Sequence, residues 1–416
     1  MKGQNKLLVV LVAGVLLMTA GVLKAYGAEE GAPIKIGMPV PITGAYASDG
    51  EEMVYGATLA VDEINAEGGL LGKRLEIVTA DTGELEADKV VAAGEKLIHR
   101  DKVDAVVTGY ADSGADIDEF GQYEVPYLHV DTNDVCAFRM AEMMPQYSNI
   151  FMCDTHTLMY GPVTADFFEK TLSNKGVKCP NKRVALIAAE EVWARSIIES
   201  QKESMEKLGW EAVAFETVLP GVAEWKTIIA KVKAKDPAVV SFINLSPRGC
   251  ATFLGQFRES PADSIVFMVY TPAMPEFMDL AGKDANGTVW TTVIGPLPGP
   301  RNDRLLKKYQ DKFNRKPGFC QHAACYDMVY MWAKAVEKVG DEKDYPAVCK
   351  TIENSNYEGV CGKYVFDPKT HWAVCSEDAV PPHMYQIQNE ESVLIWPDRY
   401  ATGNWKMPEW LSSKWR

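Results

Sequence analysis

Short runs of β-branched and other apolar residues alternate with longer amphipathic stretches from Pro33 onward. The runs predicted to be strands lie at 34–40, 75–78, 103–108 and 125–130 in a first series, and at 183–188, 212–215, 238–243, 265–269 and 289–293 in a second. Between the first two runs, apolar residues recur at helical spacing at Val54, Ala57, Val61 and Ile64. Strands that alternate with helices are typical of βαβ units. The pattern therefore predicts an α/β fold of two lobes, each a doubly wound parallel sheet.

The carboxyl ends of the predicted strands are the places to look for a binding site, because ligands of such folds bind in the crevice that these ends face. The candidate residues are Tyr46 and Asp49 after the first strand, Asp112, Ser113 and Gly114 after the third, and Asp131, Thr132 and Asn133 after the fourth. Helix capping or turn formation would explain each loop alone. The coincidence of the last two loops at one edge of a lobe favours a ligand site, and two lobes suggest capture by hinge closure.

Composition and charge exclude several classes of protein. The 416 residues are 47% hydrophobic and 24% charged, so the chain can bury real cores, and its length predicts two or three domains. The formal net charge is −14, and the longest basic cluster is Lys307-Lys308. Such a chain repels phosphate backbones. We therefore expect no nucleic-acid partner.

The N-terminus has the pattern of a secretory signal peptide. Lys2 and Lys6 precede an apolar run at 7–23, and a small-x-small sequence follows at 25–27. We expect cleavage after Gly27 and a periplasmic mature protein. The run is also long enough for an uncleaved anchor, which is the alternative.

The chain has nine cysteines, all after the predicted cleavage point. Export to an oxidising compartment predicts disulfides. The pairs that we expect are Cys136 with Cys153, and two among Cys325, Cys349, Cys361 and Cys375, which leaves at least one thiol unpaired. The Cys-x-x-Cys pairs of structural zinc sites are absent from the sequence, so we expect no metal and no cofactor.

The sequence resembles a known family, most clearly in its first forty residues after Pro33. The residues Ile34-Lys35-Ile36-Gly37, Pro41-Ile42-Thr43-Gly44 and 60–73 (AVDEINAEGGLLGK) look like the opening of periplasmic branched-chain amino-acid-binding proteins. These are solute receptors of ABC importers with the type I periplasmic binding fold. The likeness covers nearly all of 33–388. It implies that the chain crosses between the lobes three times, at about 131–160, 244–272 and 355–388.

The resemblance also implies an organisation of the whole chain. The expected units are a signal peptide (1–27), the first part of lobe 1 (28–150), lobe 2 with hinge crossings (151–270), the remaining parts of both lobes with the third crossing (271–388) and a Trp-rich extension (389–416). The four Trp of the extension are expected to clamp it onto the body by burial.

The family's binding pattern can be carried over residue by residue. Ser113 matches the serine that holds the ligand carboxylate, and Asp131 and Asn133 match the contacts after the fourth strand. Trp193 matches the aromatic residue that closes from lobe 2. Thr271 falls approximately where the family has the Glu that binds the ligand's ammonium group.

The uncharged Thr271 is a departure from the family pattern. Asp131 could replace the missing carboxylate, in which case an amino acid remains possible as the ligand. The competing ligands are amides and aromatic or other carboxylates, which would stack on Trp193, Tyr46 or Tyr270.

These expectations point to a monomeric receptor that delivers a small molecule to an inner-membrane ABC permease. A sensory ligand-binding protein of the same fold is the alternative. An exported hydrolase using Asp112 and Asp116 with His129 is the third hypothesis, but the sequence lacks a Gly-x-Ser-x-Gly elbow and a His-Glu-x-x-His motif. We therefore expect no enzymatic activity.

Overall fold

The computed structural model describes residues 31–111, 114–219 and 224–415. The strands are β1 Ile34–Val40, β2 Leu75–Asp81, β3 Ala105–Thr108, β4 Tyr127–His129, β5 Ile150–Met152, β6 Arg183–Ala189, β7 Glu211–Val218, β8 Val239–Ile243, β9 Ile265–Val269, β10 Val289–Thr292, β11 Tyr357–Glu358, β12 Lys363–Tyr364, β13 His383–Gln388 and β14 Glu391–Trp396. The α-helices are α1 Ala47–Ala66, α2 Ala87–Glu95, α3 Ala115–Gly121, α4 Asp134–Met143, α5 Tyr160–Asp166, α6 Leu172–Asn174, α7 Val192–Lys207, α8 Lys226–Lys233, α9 Pro247–Glu259, α10 Phe277–Ala281, α11 Pro300–Phe313, α12 Gln321–Val339 and α13 Tyr345–Glu353. Each strand run predicted from the sequence overlaps one of β1–β4 or β6–β10.

Lobe 1 is built on a parallel sheet of five strands in the order β2-β1-β3-β4-β5. Neighbouring residues of a strand point to opposite faces. Val107 packs in a core with α1 and α12, whereas Val106 packs in the core that α2, α3 and α4 cover. The sheet is therefore covered by helices on both faces, as a doubly wound fold requires.

Lobe 2 is built on seven strands in the order β14-β13-β10-β9-β8-β6-β7. The strands β6 to β10 are parallel, but β13 and β14 join the sheet antiparallel. The two antiparallel strands were not predicted. The two-lobed parallel architecture is confirmed, with an antiparallel edge added to lobe 2 by the C-terminal part of the chain.

The chain crosses between the lobes after β5, after β10 and after β12. The resemblance implied a second crossing at about 244–272, but the chain does not cross there. Since β8, β9 and β10 are consecutive neighbours in the sheet of lobe 2, the chain stays in that lobe until Thr292. It then enters lobe 1 through 293–299 and forms α11 and α12, and α12 packs along α1.

The contact between α1 and α12 depends on a glycine. A Cβ atom at Gly56 would lie 1.9 Å from the carbonyl oxygen of His322. Real Cβ contacts are never so short, so only glycine lets the two helix backbones approach in this way. This packing fixes the start of α12, where Gln321 lies.

The expected disulfides are not present, and none of the nine cysteines is bonded to another. Cys136 and Cys153 belong to the cores on opposite faces of the lobe 1 sheet, so their side chains do not face each other. Cys325, Cys349 and Cys361 pack as thiols in one core. Within the described residues there is also no group of three or more His, Cys, Asp or Glu that could hold a metal ion.

The C-terminal tail lies against lobe 2. Trp415 is fully buried, and the indole nitrogen of Trp410 donates to the carbonyl of Ser264 at 2.8 Å. The guanidinium of Arg258 lies 4.4 Å from the centre of the Trp410 ring. Across 31–111, 114–219 and 224–415, no helix combines the length and the apolar character needed to cross a membrane.

Candidate functional site

A cavity between the two lobes is the candidate binding site. Its empty volume, the part open to solvent included, is about 510 Å³. Lobe 1 contributes Leu85, Tyr110, Val130, Asp131, Thr132 and Gln321, and lobe 2 with the crossing after β10 contributes Tyr160, Trp193, Leu245, Tyr270, Thr292 and Ile294. A ligand held there would contact both lobes at once.

The wall of the cavity is mostly apolar. The rings of Trp193 and Tyr270 meet edge to face with centroids 6.4 Å apart, and four aliphatic side chains complete the surface. None of the described lining residues is Lys, Arg or His. The wall therefore suits an apolar body with a few hydrogen-bonding groups.

Asp131 is the one carboxylate among the described residues of this wall, and its oxygens accept hydrogen bonds from the backbone of lobe 1. Oδ2 accepts from the backbone N–H of Ala111 at 3.1 Å and from the thiol of Cys136 at 3.4 Å, and Oδ1 accepts from the N–H of Asn133 at 3.0 Å. The Asn133 side chain in turn caps α4 by accepting from the N–H of Val135. Asp131 thus holds the loop after β4 in place.

Asp49, in the first turn of α1, does not line the cavity but forms hydrogen bonds with side chains of both lobes. Its Oδ2 accepts from the hydroxyl of Tyr110 in lobe 1 at 2.8 Å and from the hydroxyl of Tyr270 in lobe 2 at 2.6 Å. Burial raises the pKa of this carboxyl to about 6, while the two phenol hydrogen bonds act in the opposite direction. We call Asp49, Tyr110 and Tyr270 the interlobe latch.

Further hydrogen bonds cross the cleft. The indole nitrogen of Trp193 donates to Oγ1 of Thr132 at 3.3 Å. The hydroxyl of Ser196 donates to Asp134 at 3.1 Å, and that of Ser48 donates to Glu276 at 3.0 Å. These contacts hold the lobes in a closed arrangement around the cavity.

Tyr270 and Thr271 occupy the position where the family resemblance implied a ligand contact. Tyr270 lines the cavity and has φ of +60°, a backbone conformation that costs free energy for a residue other than glycine. Thr271 is fully buried and donates to the carbonyl of Asn244 at 2.6 Å. Its hydroxyl is thus engaged within lobe 2, and Thr271 is not among the lining residues.

Two further predicted residues, Tyr46 and Gly114, are not among the residues that line the cavity. Tyr46 is half-buried and packs edge to face on Tyr110, with ring centroids 6.5 Å apart. Gly114 has φ of +74° and precedes α3. Asp112 and Ser113 lie outside the described residues, so the expected carboxylate contact stays a prediction.

The structure adds wall residues that the sequence did not single out. Tyr110, Leu245, Thr292, Ile294 and Gln321 come from four separate parts of the chain, and no shared motif connects them. Tyr160, which follows the first crossing between the lobes, also lies in the wall. Among these wall residues, only Gln321 had a sequence signal that could have drawn attention to it, because it begins a long helix directly after an irregular segment.

Asp154, just after β5, is another acid that sequence reasoning missed. It is 1% exposed, and neither of its carboxylate oxygens has a hydrogen-bond partner among the described residues. Burial raises its pKa well above the ordinary value, and the nearby Asp131 acts in the same direction. The neutral acid is therefore favoured, and Asp154 is not part of the wall.

Comparison with known proteins agrees with this architecture. A family model described as "Periplasmic binding protein" matches residues 33–376. The chain belongs to the periplasmic binding protein family. The resemblance inferred from residues 34–73 is thereby confirmed, and the chain is a member of a family of binding proteins rather than enzymes.

Individual relatives of this periplasmic binding protein cover most of its length. An amino acid binding protein of Pseudomonas aeruginosa is 27% identical over 364 residues, which is 86% of this chain and 92% of the relative. A leucine-, isoleucine-, valine-, threonine- and alanine-binding protein of the same species is 25% identical and covers 81% of this chain and 86% of the relative. A crystal structure from Silicibacter pomeroyi, assigned to a branched-chain amino acid ABC transporter, superposes with a TM-score of 0.84 at 28% identity, covering 91% of this chain and all of that one.

Proposed function

We propose that this protein is an extracytoplasmic receptor that captures a small amino acid or a related carboxylate or amide and delivers it to an inner-membrane ABC permease. The observation that carries the proposal is the cavity whose wall comes half from each lobe. The names of the relatives, an amino acid binding protein and a branched-chain amino acid ABC transporter protein, support the same ligand class and partner.

Closure of the lobes would provide the binding mechanism. A ligand first held by the loops of lobe 1 gains contacts with Trp193 and Tyr270 when lobe 2 closes. The hydrogen bonds from Trp193 to Thr132 and from Tyr270 to Asp49 join opposite lobes, so they form only in the closed state. A ligand that binds the closed state more tightly shifts the population toward it, and a permease can then distinguish loaded from empty receptor.

The mature chain is expected to act as a periplasmic monomer after removal of its N-terminal segment, which lies outside the described residues. Gel filtration at micromolar concentration tests the monomer, and N-terminal sequencing of the exported protein tests cleavage near Gly27. Uptake of the identified ligand into membrane vesicles that contain the cognate permease tests delivery.

The binding function is tested by thermal unfolding of the 28–416 protein with branched-chain and aromatic amino acids, short amides, and aromatic or aliphatic acids. A ligand that binds only the folded state raises the unfolding midpoint, and small-angle X-ray scattering should show a more compact molecule. Trp193→Ala should abolish the shift, whereas Val192→Ala, at an exposed neighbouring position, should retain it. The proposal is refuted if no compound raises the midpoint and no small molecule is released when the purified protein is denatured.

A further inference from the structure

We propose that closure of the lobes takes up a proton at a contact between two acids of opposite lobes, Asp49 and Glu276, so that the receptor binds its ligand more tightly in acidic solution. The inference rests on the proposed function and deepens it, because it concerns the regulation of the same cavity. Two carboxylates come together at this contact, and no ion pair of the described residues includes either of them.

Asp49 is buried by groups that carry no positive charge. It is 2% exposed, and its Oδ2 accepts from the hydroxyls of Tyr110 and Tyr270. Among the described residues none donates to Oδ1. A carboxylate that loses its hydration without gaining a cation is disfavoured in its charged form. A proton on Oδ1 removes this cost and leaves both phenol hydrogen bonds in place.

Glu276, which precedes α10 in lobe 2, adds the second acid. Its Oε1 accepts across the cleft, at 3.0 Å, from the hydroxyl of Ser48, the residue before Asp49. Its Oε2 is buried and has no hydrogen-bond partner within the described part of the chain. The negative charge of Glu276 acts on Asp49 and favours the protonated form of that carboxyl. Closure therefore brings together two acids for which no cation is provided.

The other ionisable groups near this contact do not supply the missing charge. On α1 itself, Glu51 and Glu52 form ion pairs with Arg315. Cys320, at the start of α12, is an acid whose pKa burial raises to about 12. Burial lowers the pKa of the neighbouring His322 to about 3, so that side chain is neutral. None of these groups neutralises the two acids.

Opening of the lobes reverses the burial of Asp49. Tyr270 and Glu276 belong to lobe 2, so both leave Asp49 when the lobes part, whereas Tyr110 stays. The carboxyl then lies in the open cleft at the first turn of α1, where the charged form of an acid is favoured. In the closed state burial raises its pKa to about 6 from the ordinary 3.8. Between these two pH values the closed state binds a proton that the open state does not, so the gain in affinity is present at pH 5 and is lost as the pH rises through 6.

The uptake of one proton determines the size of the effect. With a pKa of about 6 in the closed state and the ordinary 3.8 in the open state, Kd should fall about tenfold between pH 7.5 and 5. Ligand binding should take up about 0.7 proton at pH 5.5 and almost none at pH 7.5. Calorimetry in two buffers with different heats of ionisation measures this uptake, because each proton taken from the buffer adds the buffer's heat to the binding enthalpy.

Leucine is the first probe, since its charges do not change between pH 5 and 7.5, and 3-methylbutanamide, which does not ionise, is the second. If neither compound binds, the molecule released on denaturation of the purified protein takes their place, after correction for its own titration. If nothing binds and nothing is released, the inference and the proposed function fail together.

Variants assign the proton to the contact. Asp49→Asn cannot take up the proton, so the uptake at pH 5.5 should fall below about 0.2 proton and Kd should change less than about twofold between pH 7.5 and 5. Asp327→Asn is the matched control, because burial also raises the pKa of Asp327 to about 6. Its partners Val360, Cys361 and Tyr364 pack in the same lobe 1 core, so its proton does not depend on closure and the uptake should persist.

Glu276→Gln tests the second acid. Without this charge the closed state costs less at pH 7.5, so Kd at that pH should fall by about twofold or more, and the uptake at pH 5.5 should decrease. A gain of affinity is the opposite of what a merely structural role of Glu276 predicts. Urea unfolding without ligand verifies that each variant is folded.

Two outcomes overturn the inference while the receptor function stands: the wild type takes up no proton on binding at pH 5.5, or the uptake survives in Asp49→Asn. The second result would assign the proton to another acid whose pKa burial raises, such as Asp154 or Glu191. A weaker affinity of Glu276→Gln at pH 7.5 would overturn the part assigned to Glu276.

Discussion

Tyr270→Phe removes a single hydroxyl from the interlobe latch and should weaken ligand binding without unfolding the protein. The hydroxyl donates at 2.6 Å to Asp49, which is 2% exposed and belongs to the opposite lobe. Because the pKa of Asp49 is about 6, the carboxylate is mostly ionised at pH 7.5. A hydrogen bond to a charged group contributes about 1.5–3 kcal/mol, which corresponds to a Kd raised by about tenfold to 150-fold.

Tyr110→Phe is the matched control for this change. Tyr110 donates to the same Asp49 oxygen at 2.8 Å, but both residues belong to lobe 1. That bond is available whether the lobes are open or closed, so it cancels from the free energy of closure. Tyr110→Phe should therefore lower the free energy of unfolding by a similar amount and raise Kd by less than Tyr270→Phe does, since the ring that lines the cavity is retained.

Calorimetry with the tightest ligand at pH 7.5 gives Kd for the wild type and both variants, and small-angle scattering gives the fraction of closed molecules at saturating ligand. Urea unfolding without ligand gives the stability of each protein. Equal losses of affinity in Tyr270→Phe and Tyr110→Phe would show that the latch does not act through closure. An unchanged Kd in Tyr270→Phe would show that the hydroxyl contributes nothing in the closed state.

Three further changes test the framework of the site. Gly56→Ala should lower the free energy of unfolding by about 1–3 kcal/mol or more, because its methyl group would overlap the α12 backbone; Gly255→Ala, where the nearest atom lies at 3.6 Å, should be neutral or slightly stabilising in the same urea experiment. Asp131→Asn should cost about 1–3 kcal/mol even without ligand, since an amide nitrogen cannot accept from backbone N–H groups, and an unchanged urea midpoint would contradict the role given to this carboxylate. Burial lowers the pKa of His383 to about 3 from its ordinary 6.5, so the unfolded chain binds a proton that the folded chain does not, and stability falls as the pH drops from 6.5 toward 3. His383→Leu removes this titrating group, so the slope of the unfolding free energy against pH should be smaller by about 1.4 kcal/mol per pH unit between pH 6 and 4. Equal slopes for wild type and variant would refute the assignment.

The parts of the fold that were predictable are those whose pattern is local. The strands β1 and β8 are short runs of mostly apolar residues, and such runs identify buried parallel strands. The strands β4 and β5 have three residues each, but β4 lies within a longer predicted run at 125–130, whereas the apolar run around β5 covers only 150–153. The strands β13 and β14 were missed because they pair antiparallel at a sheet edge, outside the alternation of strand and helix on which the prediction was based.

The site was predictable where it lies at the end of a recognisable strand. Asp131 and Thr132 follow β4, so the rule for the carboxyl ends of strands reached both, whereas Tyr270, which follows β9, was reached only after the family resemblance. Gln321 lies at the N-terminus of a helix that reaches the cavity only because the chain crosses back after β10. The misplaced second crossing and the missed wall residue Gln321 thus have one cause, which is that sheet order is decided by contacts distant in sequence.

The disulfide expectation failed for a similar reason. Spacing along the chain says that Cys136 and Cys153 are near one another, but not that they pack on opposite faces of one sheet. Which face a side chain occupies depends on strand register and on the helix that covers it. The compartment expected from the N-terminus suggested oxidation, whereas the packing keeps these side chains as thiols.

The nine thiols make this protein suitable for site-specific labelling. Seven are buried and two, Cys179 and Cys375, are half-buried. Burial raises the pKa of both half-buried thiols to about 12, so little of the reactive thiolate exists at pH 7.5. A cysteine introduced on the surface of each lobe should therefore take up a maleimide fluorophore or spin label in the native state before the natural thiols react. Distance measurements between the lobes can then be made without first removing the nine natural cysteines, and the reaction of those nine under denaturant reports unfolding in the same molecule.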